Sequence, residues 1–120
     1  MKYRQWISKS EFENQILKSE KPRIVLFAAD WCGYCQRFLT VVSDYDSAKV
    51  ALLAPSDEIE VVDVESEGGT LWDTMNLNLV PTLVVFSRGK EIYRRDGKAL
   101  VGLRESDLVE ALNTAVGSSS

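Results

Sequence analysis

The chain has 120 residues, of which 45% are hydrophobic and 27% are charged, a composition typical of one globular domain. Its formal net charge is −4, and no basic stretch is interleaved with aromatic residues, which argues against a nucleic acid partner. No apolar run approaches the roughly 18 residues of a membrane-spanning helix or has the form of a signal peptide. We therefore expect no membrane partner and a cytoplasmic location, although a mature exported protein would have the same features.

A helix and a buried strand are predicted in the first part of the chain. Ser10 and Glu13 have the spacing of a capping box, so a helix should begin at Ser10. Its apolar face contains Phe12 and Ile16. Residues 24–29 are all apolar, which is typical of a strand covered on both faces, and a short first strand is expected near residues 6–7.

The rest of the chain predicts alternating helices and strands. In chain order these are a helix from Cys32, a strand over 59–64, a short helix from a cap at Thr70 to Met75, a strand over 80–86, its hairpin partner over 91–95, and a last helix that ends at Gly117. Residues 48–55 favour a further turn of helix. The order predicts an α/β fold with a central mixed sheet of four or five strands and helices on both faces. We expect one domain over residues 1–117 and a disordered tail at 118–120.

Two cysteines, Cys32 and Cys35, lie where the apolar strand leads into the second helix. A crosslink around two residues constrains the unfolded chain little, so a purely structural disulfide is disfavoured. Residues three apart on a helix are close enough to form a disulfide with little backbone movement. A structural zinc site needs four ligands, whereas the chain has two cysteines and no histidine. The pair therefore indicates redox chemistry with neither a metal nor another cofactor.

Over residues 5–116 the chain resembles thioredoxin-fold proteins. The resemblance is carried by Trp31-Cys32-Gly33-Tyr34-Cys35 after a strand, and by Val80-Pro81-Thr82 before a hairpin and a final helix. It implies the thioredoxin fold and thiol–disulfide oxidoreductase activity. It further implies a cis peptide bond before Pro81, which shapes a groove beside the cysteines, and a Val80 backbone that pairs with an extended substrate segment.

Roles for the active-site residues follow from the motif and its position. Cys32 is expected to be the nucleophile, because the N-terminus of a helix favours an anion, and Cys35 is expected to resolve the mixed disulfide. Trp31, Gly33 and Tyr34 are candidate substrate-binding residues. The resemblance implies protein disulfides as substrates and either a reductase or glutathione as electron donor, and we expect a monomer.

The chain departs from typical thioredoxins at three places. Leu26 and Val61 stand where the family has a buried aspartate and its companion lysine, and Gly33-Tyr34 replaces the usual Gly-Pro. Gly-Tyr is similar to the pair in bacterial periplasmic disulfide isomerases. Without an acid at position 26, deprotonation of Cys35 must rely on water, on the leaving thiolate or on another carboxylate such as Asp63, so a slower resolving step is expected.

Other functions remain open at this point. The domain could be a binding or adaptor module that uses the groove beside Pro81, or an isomerase-like or glutaredoxin-like exchanger. The intact pair of thiols favours the oxidoreductase over the adaptor. The densest basic pair, Arg94-Arg95, is interpreted as a solvated strand end.

Overall fold

A computed structural model of the protein describes residues 2–45, 58–98 and 101–119. The elements are β1 (Lys2–Ile7), α1 (Lys9–Glu11, continued by a π-helical turn Phe12–Ile16), β2 (Arg23–Ala28), α2 (Gly33–Asp44), β3 (Glu58–Asp63), a 3-10 turn (Ser66–Gly69), α3 (Leu71–Thr74), β4 (Thr82–Ser87), β5 (Lys90–Asp96) and α4 (Glu105–Ser119). The helical turn predicted at 48–55 lies outside the described residues.

The five strands form one mixed sheet in the order β1-β3-β2-β4-β5. Strands β1, β3 and β2 are parallel, whereas β4 is antiparallel to both β2 and β5. The predicted α/β architecture is therefore confirmed, with five strands. Because β2 is central and covered on both faces, residues 24–28 are all buried.

Helices cover both faces of the sheet. On one face, the Phe12 ring of α1 packs edge-on against Phe27 and Phe86, with ring centroids 5.3 and 5.4 Å away. Successive strand residues point to opposite faces, so Leu26 points away from Phe12. The opposite face is covered by α4, which contacts β2, β4 and α2. No helix among the described residues is both long and apolar enough to span a membrane.

The predicted cap at Ser10 is wrong. Helix α1 is capped by Ser8, whose extended backbone lets its hydroxyl oxygen accept a bond from the Glu11 amide at 3.2 Å. Ser10 lies inside the helix, and its amide and hydroxyl both donate to the Glu67 carboxylate at 2.7 Å. These bonds lower the pKa of Glu67. A carboxylate from a distant loop therefore takes the role that the sequence assigned to Glu13.

Two further helix ends differ from the sequence prediction. Thr70 precedes α3 as predicted but makes no capping bond; its hydroxyl oxygen instead accepts from Lys9 Nζ at 2.8 Å. Helix α4 continues through Gly117 to Ser119, so Gly117 does not end it and most of the predicted tail is helical. Glycine inside a helix costs only about 1 kcal/mol relative to alanine, which the preceding buried turns of α4 can offset.

A buried acidic side chain lies within the sheet. Glu60 of β3 is 3% exposed and pairs with two arginines: Arg4 Nε lies 2.8 Å from its carboxylate, and Arg23 Nη2 donates to its other oxygen. Strand register brings the three together, because Arg4 and Val25 stand beside Glu60 on the two neighbouring strands and Arg23 shares a face with Val25. Only tertiary pairing makes this buried charge tolerable.

Candidate active site

Cys32 occupies the N-cap of α2, immediately after the turn that follows β2. Its backbone is extended, and its sulfur accepts a hydrogen bond from the amide of Cys35 at 3.2 Å. A second bond, from the Cys32 amide to the Ala29 carbonyl at 3.1 Å, closes the preceding turn. The unsatisfied amides at the start of a helix thus point toward the Cys32 sulfur and stabilise negative charge there.

Cys35 is fully buried in the first turn of α2, and neither cysteine is in a disulfide. Burial raises the pKa of the Cys35 thiol well above its ordinary value, because the thiolate is not solvated there. The neighbouring Cys32 sulfur raises that pKa further, through a hydrogen bond and through its electrostatic interaction with Cys35. Cys35 is therefore a neutral thiol at neutral pH.

The segment before β4 faces the cysteine pair. The Val80–Pro81 peptide bond is cis, and Pro81 is buried. The Cys32 thiol lies 3.6 Å from the Val80 carbonyl oxygen, to which it donates. Cys32 and Val80, which are 48 positions apart in the chain, thus meet beyond the carboxyl end of β2. A peptide backbone group lies directly beside the more accessible sulfur.

Two aromatic residues form the rim beside the cysteines. Trp31 is 64% exposed, and its indole nitrogen donates to Glu65 at 3.2 Å. Tyr34 is half-buried: the Arg37 guanidinium lies 5.9 Å from the centroid of its ring. A Cβ added to Gly102 would lie only 3.0 Å from the same ring, so the loop before α4 packs closely on Tyr34. Of the two rings next to Cys32 in the sequence motif, Trp31 is therefore exposed and Tyr34 is packed.

The buried polar pair of typical thioredoxins is absent, as the sequence predicted. Leu26 and Val61 are both 0% exposed and stand beside each other on β2 and β3. Asp63, the alternative acid, uses its Oδ1 to accept the Glu65 amide at 2.9 Å. Among the described residues, no carboxylate hydrogen-bonds to either cysteine sulfur.

The end of β5 contacts the Pro81 segment, a contact that the sequence did not predict. The amide of Gly97 donates to the Pro81 carbonyl at 2.9 Å, and Asp96 Oδ1 lies 3.3 Å from the Thr82 hydroxyl. Arg94 and Arg95, interpreted as a solvated strand end, lie near the end of β5 with side chains 25% and 44% exposed, and both also form ion pairs. The available signal for a turn at this point was the Asp96-Gly97 pair directly after the strand predicted over 91–95.

Replacing Gly97 with alanine is expected to lower the free energy of unfolding by about 1–3 kcal/mol. The new Cβ would lie 2.9 Å from the Pro81 carbonyl oxygen and 3.3 Å from its Cδ, so the segment before β4 must shift. Gly33→Ala is the matched control, since nothing lies within 4 Å of its Cβ position. Urea unfolding of both variants checks the prediction, and equal midpoints would contradict it.

Comparison with known proteins agrees with this geometry. The family model described as Thioredoxin matches residues 4–114. Thioredoxin Y, chloroplastic, from rice (Oryza sativa subsp. japonica) is 31% identical over 108 residues, which cover 89% of this chain and 58% of that protein. A putative protein disulfide-isomerase of Schizosaccharomyces pombe is 34% identical over 85 residues, 70% of this chain and 16% of that protein.

Solved structures show the same likeness. The X-ray structure of Fasciola hepatica thioredoxin superposes with a TM-score of 0.66 at 25% identity, covering 92% of this chain and 96% of that one. The chain thus spans little more than half of the rice relative and a small part of the yeast isomerase, but nearly all of the solved thioredoxin. Because the family model matches residues 4–114, almost the whole length of the chain, the chain belongs to the thioredoxin family.

Proposed function

We propose that the protein is a thiol–disulfide oxidoreductase acting on protein disulfides, with Cys32 as nucleophile and Cys35 as resolving thiol. The observation that carries the proposal is the position of the Cys32 sulfur, which accepts the Cys35 amide at 3.2 Å and lies 3.6 Å from the Val80 carbonyl. Cys32 therefore sits at a helix N-terminus that stabilises a thiolate and is 6% exposed, while Cys35 is fully buried one helical turn inward.

In the first step, the Cys32 thiolate attacks one sulfur of a substrate disulfide. The substrate S–S bond breaks, a mixed disulfide forms on Cys32, and the departing substrate thiolate takes up a proton. Cys35 then loses its proton and attacks the Cys32 sulfur, which releases the second substrate thiol and leaves a Cys32–Cys35 disulfide. The substrate gains two electrons, and a reductase or glutathione then supplies two electrons that reduce the Cys32–Cys35 disulfide.

Substrate recognition is assigned to the groove beside Pro81. The Val80 backbone pairs with an extended segment around the substrate cysteine, as in strand addition. Trp31 supplies exposed apolar area, Tyr34 forms the opposite rim, and Gly33 leaves the space between them open. A cytoplasmic location stays a prediction, since the rice relative is described as chloroplastic. The monomeric state is likewise a prediction.

Disulfide exchange of the isomerase type is the second candidate. It is favoured by the Gly33-Tyr34 pair and by the similarity to a putative protein disulfide-isomerase. The two candidates differ in the fate of the mixed disulfide. A reductase resolves it through Cys35, whereas an isomerase can release it by a second substrate thiol. Refolding of a protein with scrambled disulfides separates them, because a Cys35→Ser variant retains isomerase activity but loses net reduction.

A trapping experiment tests the proposal. With insulin as the disulfide substrate, Cys35→Ser should accumulate a mixed disulfide through Cys32 that a reductant releases on a gel. The control Cys32→Ser should form none, since the Cys35 thiol is fully buried and its raised pKa keeps it neutral. Absence of the trapped species from Cys35→Ser would refute the assignment of roles. Full biological activity of the double serine variant would instead support the adaptor function.

A further inference from the structure

We propose that Arg94 is a positioning residue for substrate recognition, because it holds the segment that presents the Val80 backbone to the substrate. The inference rests on the proposed function, since it concerns how the same groove binds a protein disulfide. It assigns a role to an arginine that lies on β5, on the far side of β4 from the strand that leads into the cysteine motif.

The Arg94 side chain bonds two backbone carbonyls where the chain leaves α3. Its Nη1 donates to the Met75 carbonyl at 2.9 Å, and its Nη2 donates to the Asn76 carbonyl at 2.8 Å. Carbonyls at the end of a helix lack partners within the helix, and Asn76 has a positive φ of 54°, so the chain turns sharply there. A guanidinium suits this site because its planar fork presents two donors at once.

Carboxylates on the same strand fix the orientation of this guanidinium. Asp96 Oδ1 lies 3.2 Å from Arg94 Nε, and Glu91 Oε1 lies 3.2 Å from Nη1. Arg94 and Asp96 are two residues apart, so they share one face of β5. The Arg94 side chain is 25% exposed, which leaves these bonds partly shielded from water.

The same strand also holds the other end of the segment. The Thr82 hydroxyl donates to the Leu79 carbonyl at 2.8 Å and lies 3.3 Å from Asp96 Oδ1. The Gly97 amide donates to the Pro81 carbonyl at 2.9 Å. Residues 75–82 are therefore attached to β5 at both ends, and Val80 lies between the attachments. Without Arg94, the start of the segment loses two bonds while its end keeps the bond to Gly97.

Arg95 offers a matched control on the same strand. Its side chain points to the opposite face, where it pairs with Asp107 at 3.4 Å and with Glu110 at 3.0 Å on α4. These contacts also anchor β5, but they do not touch residues 75–82. Replacing either arginine by methionine removes one charge and one set of tertiary bonds, but only Arg94→Met removes bonds to residues 75–82.

The test compares a protein substrate with a small one. For insulin reduction, Arg94→Met should raise KM about three- to tenfold with kcat nearly unchanged, because a displaced backbone weakens pairing with an extended substrate. Arg95→Met should leave KM at the parent value. The rate at which Cys32 reacts with a small aromatic disulfide should be the same in all variants, since that reaction needs no backbone pairing.

A second variant tests whether Arg94→Met acts only by disturbing the fold. Arg94→Lys keeps the charge and can reach one carbonyl, so its KM should lie between those of the parent and Arg94→Met, and its circular dichroism should be that of the parent. A parental KM in both Arg94 variants, or an equal rise in Arg95→Met, overturns the inference but not the proposed function. Parent protein that fails to reduce insulin overturns both.

Discussion

Replacing Leu26 with aspartate is expected to speed the resolving step at least about tenfold. In the proposed mechanism Cys35 must lose a proton before it can attack the mixed disulfide, and burial keeps the pKa of its thiol high. In the mixed disulfide the contribution of Cys32 to this pKa changes, but the larger effect of burial persists. The resemblance to thioredoxins implies that an acid at this position accepts that proton, which the parent chain must otherwise pass to water or to a leaving thiolate.

The same substitution is expected to destabilise the fold. Leu26 and its neighbour Val61 are both fully buried and apolar, so the new carboxylate has no partner. An unpaired buried charge costs about 3–5 kcal/mol, and part of that cost is avoided when the carboxyl group takes up a proton. Faster chemistry should thus be accompanied by a lower urea midpoint.

Decay of the mixed disulfide after rapid mixing measures the resolving rate, and Leu26→Asn is the matched control. Asparagine has nearly the same shape and a similar desolvation cost, but it accepts no proton. In the parent protein the rate should rise about tenfold per pH unit above neutrality, because a raised pKa leaves the thiolate fraction far from saturation. Leu26→Asp should weaken this dependence. Equal rates for Leu26→Asp and Leu26→Asn would show that proton acceptance at this position has no effect.

Arg23→Met is expected to lower the free energy of unfolding by about 3 kcal/mol, and Glu60→Met by less. Loss of Arg23 leaves a carboxylate that is 4% exposed with Arg4 as its remaining partner. Loss of Glu60 removes the most buried of the three charges and leaves Arg4 and Arg23, whose side chains are 40% and 20% exposed. The asymmetry follows from burial, because the cost of an unpaired charge grows as its access to solvent falls.

A double-mutant cycle in urea measures this pair. If the ion pair is coupled as the geometry indicates, the double variant Arg23→Met/Glu60→Met should be more stable than Arg23→Met alone, since no carboxylate remains without its main partner. The control is Arg88→Met, in the exposed hairpin turn, which should change stability by no more than about 0.5 kcal/mol. Additive losses for Arg23 and Glu60 would rule out the coupling.

Some features could be predicted from the sequence because they depend on residues that are close together along the chain. The unbroken apolar run over 24–29 predicted a central strand, since every residue of such a strand must be buried. Arg88-Gly89 predicted the hairpin, and both residues have the positive φ that a tight hairpin turn requires. Cys32 and Cys35 were assigned to the start of a helix by their position after the strand, and apolar residues at 26 and 61 indicated the missing buried acid.

Other features depend on which distant segments meet. Ser10 had the spacing of a helix cap, but Ser8 has the extended backbone that capping needs. The amide of Ser10 instead donates to the carboxylate of Glu67, 57 residues away. Arg94 and Arg95 are adjacent and chemically identical, yet strand alternation sends one to the segment that carries Val80 and the other to α4. The sequence by itself determined the strand that carries the motif and the place of its two thiols at the start of a helix, because these follow from the apolar run and the residues next to it. Only the tertiary structure decided which charges are buried and what holds the segment that carries Val80, because those partners are set by strand register across the sheet.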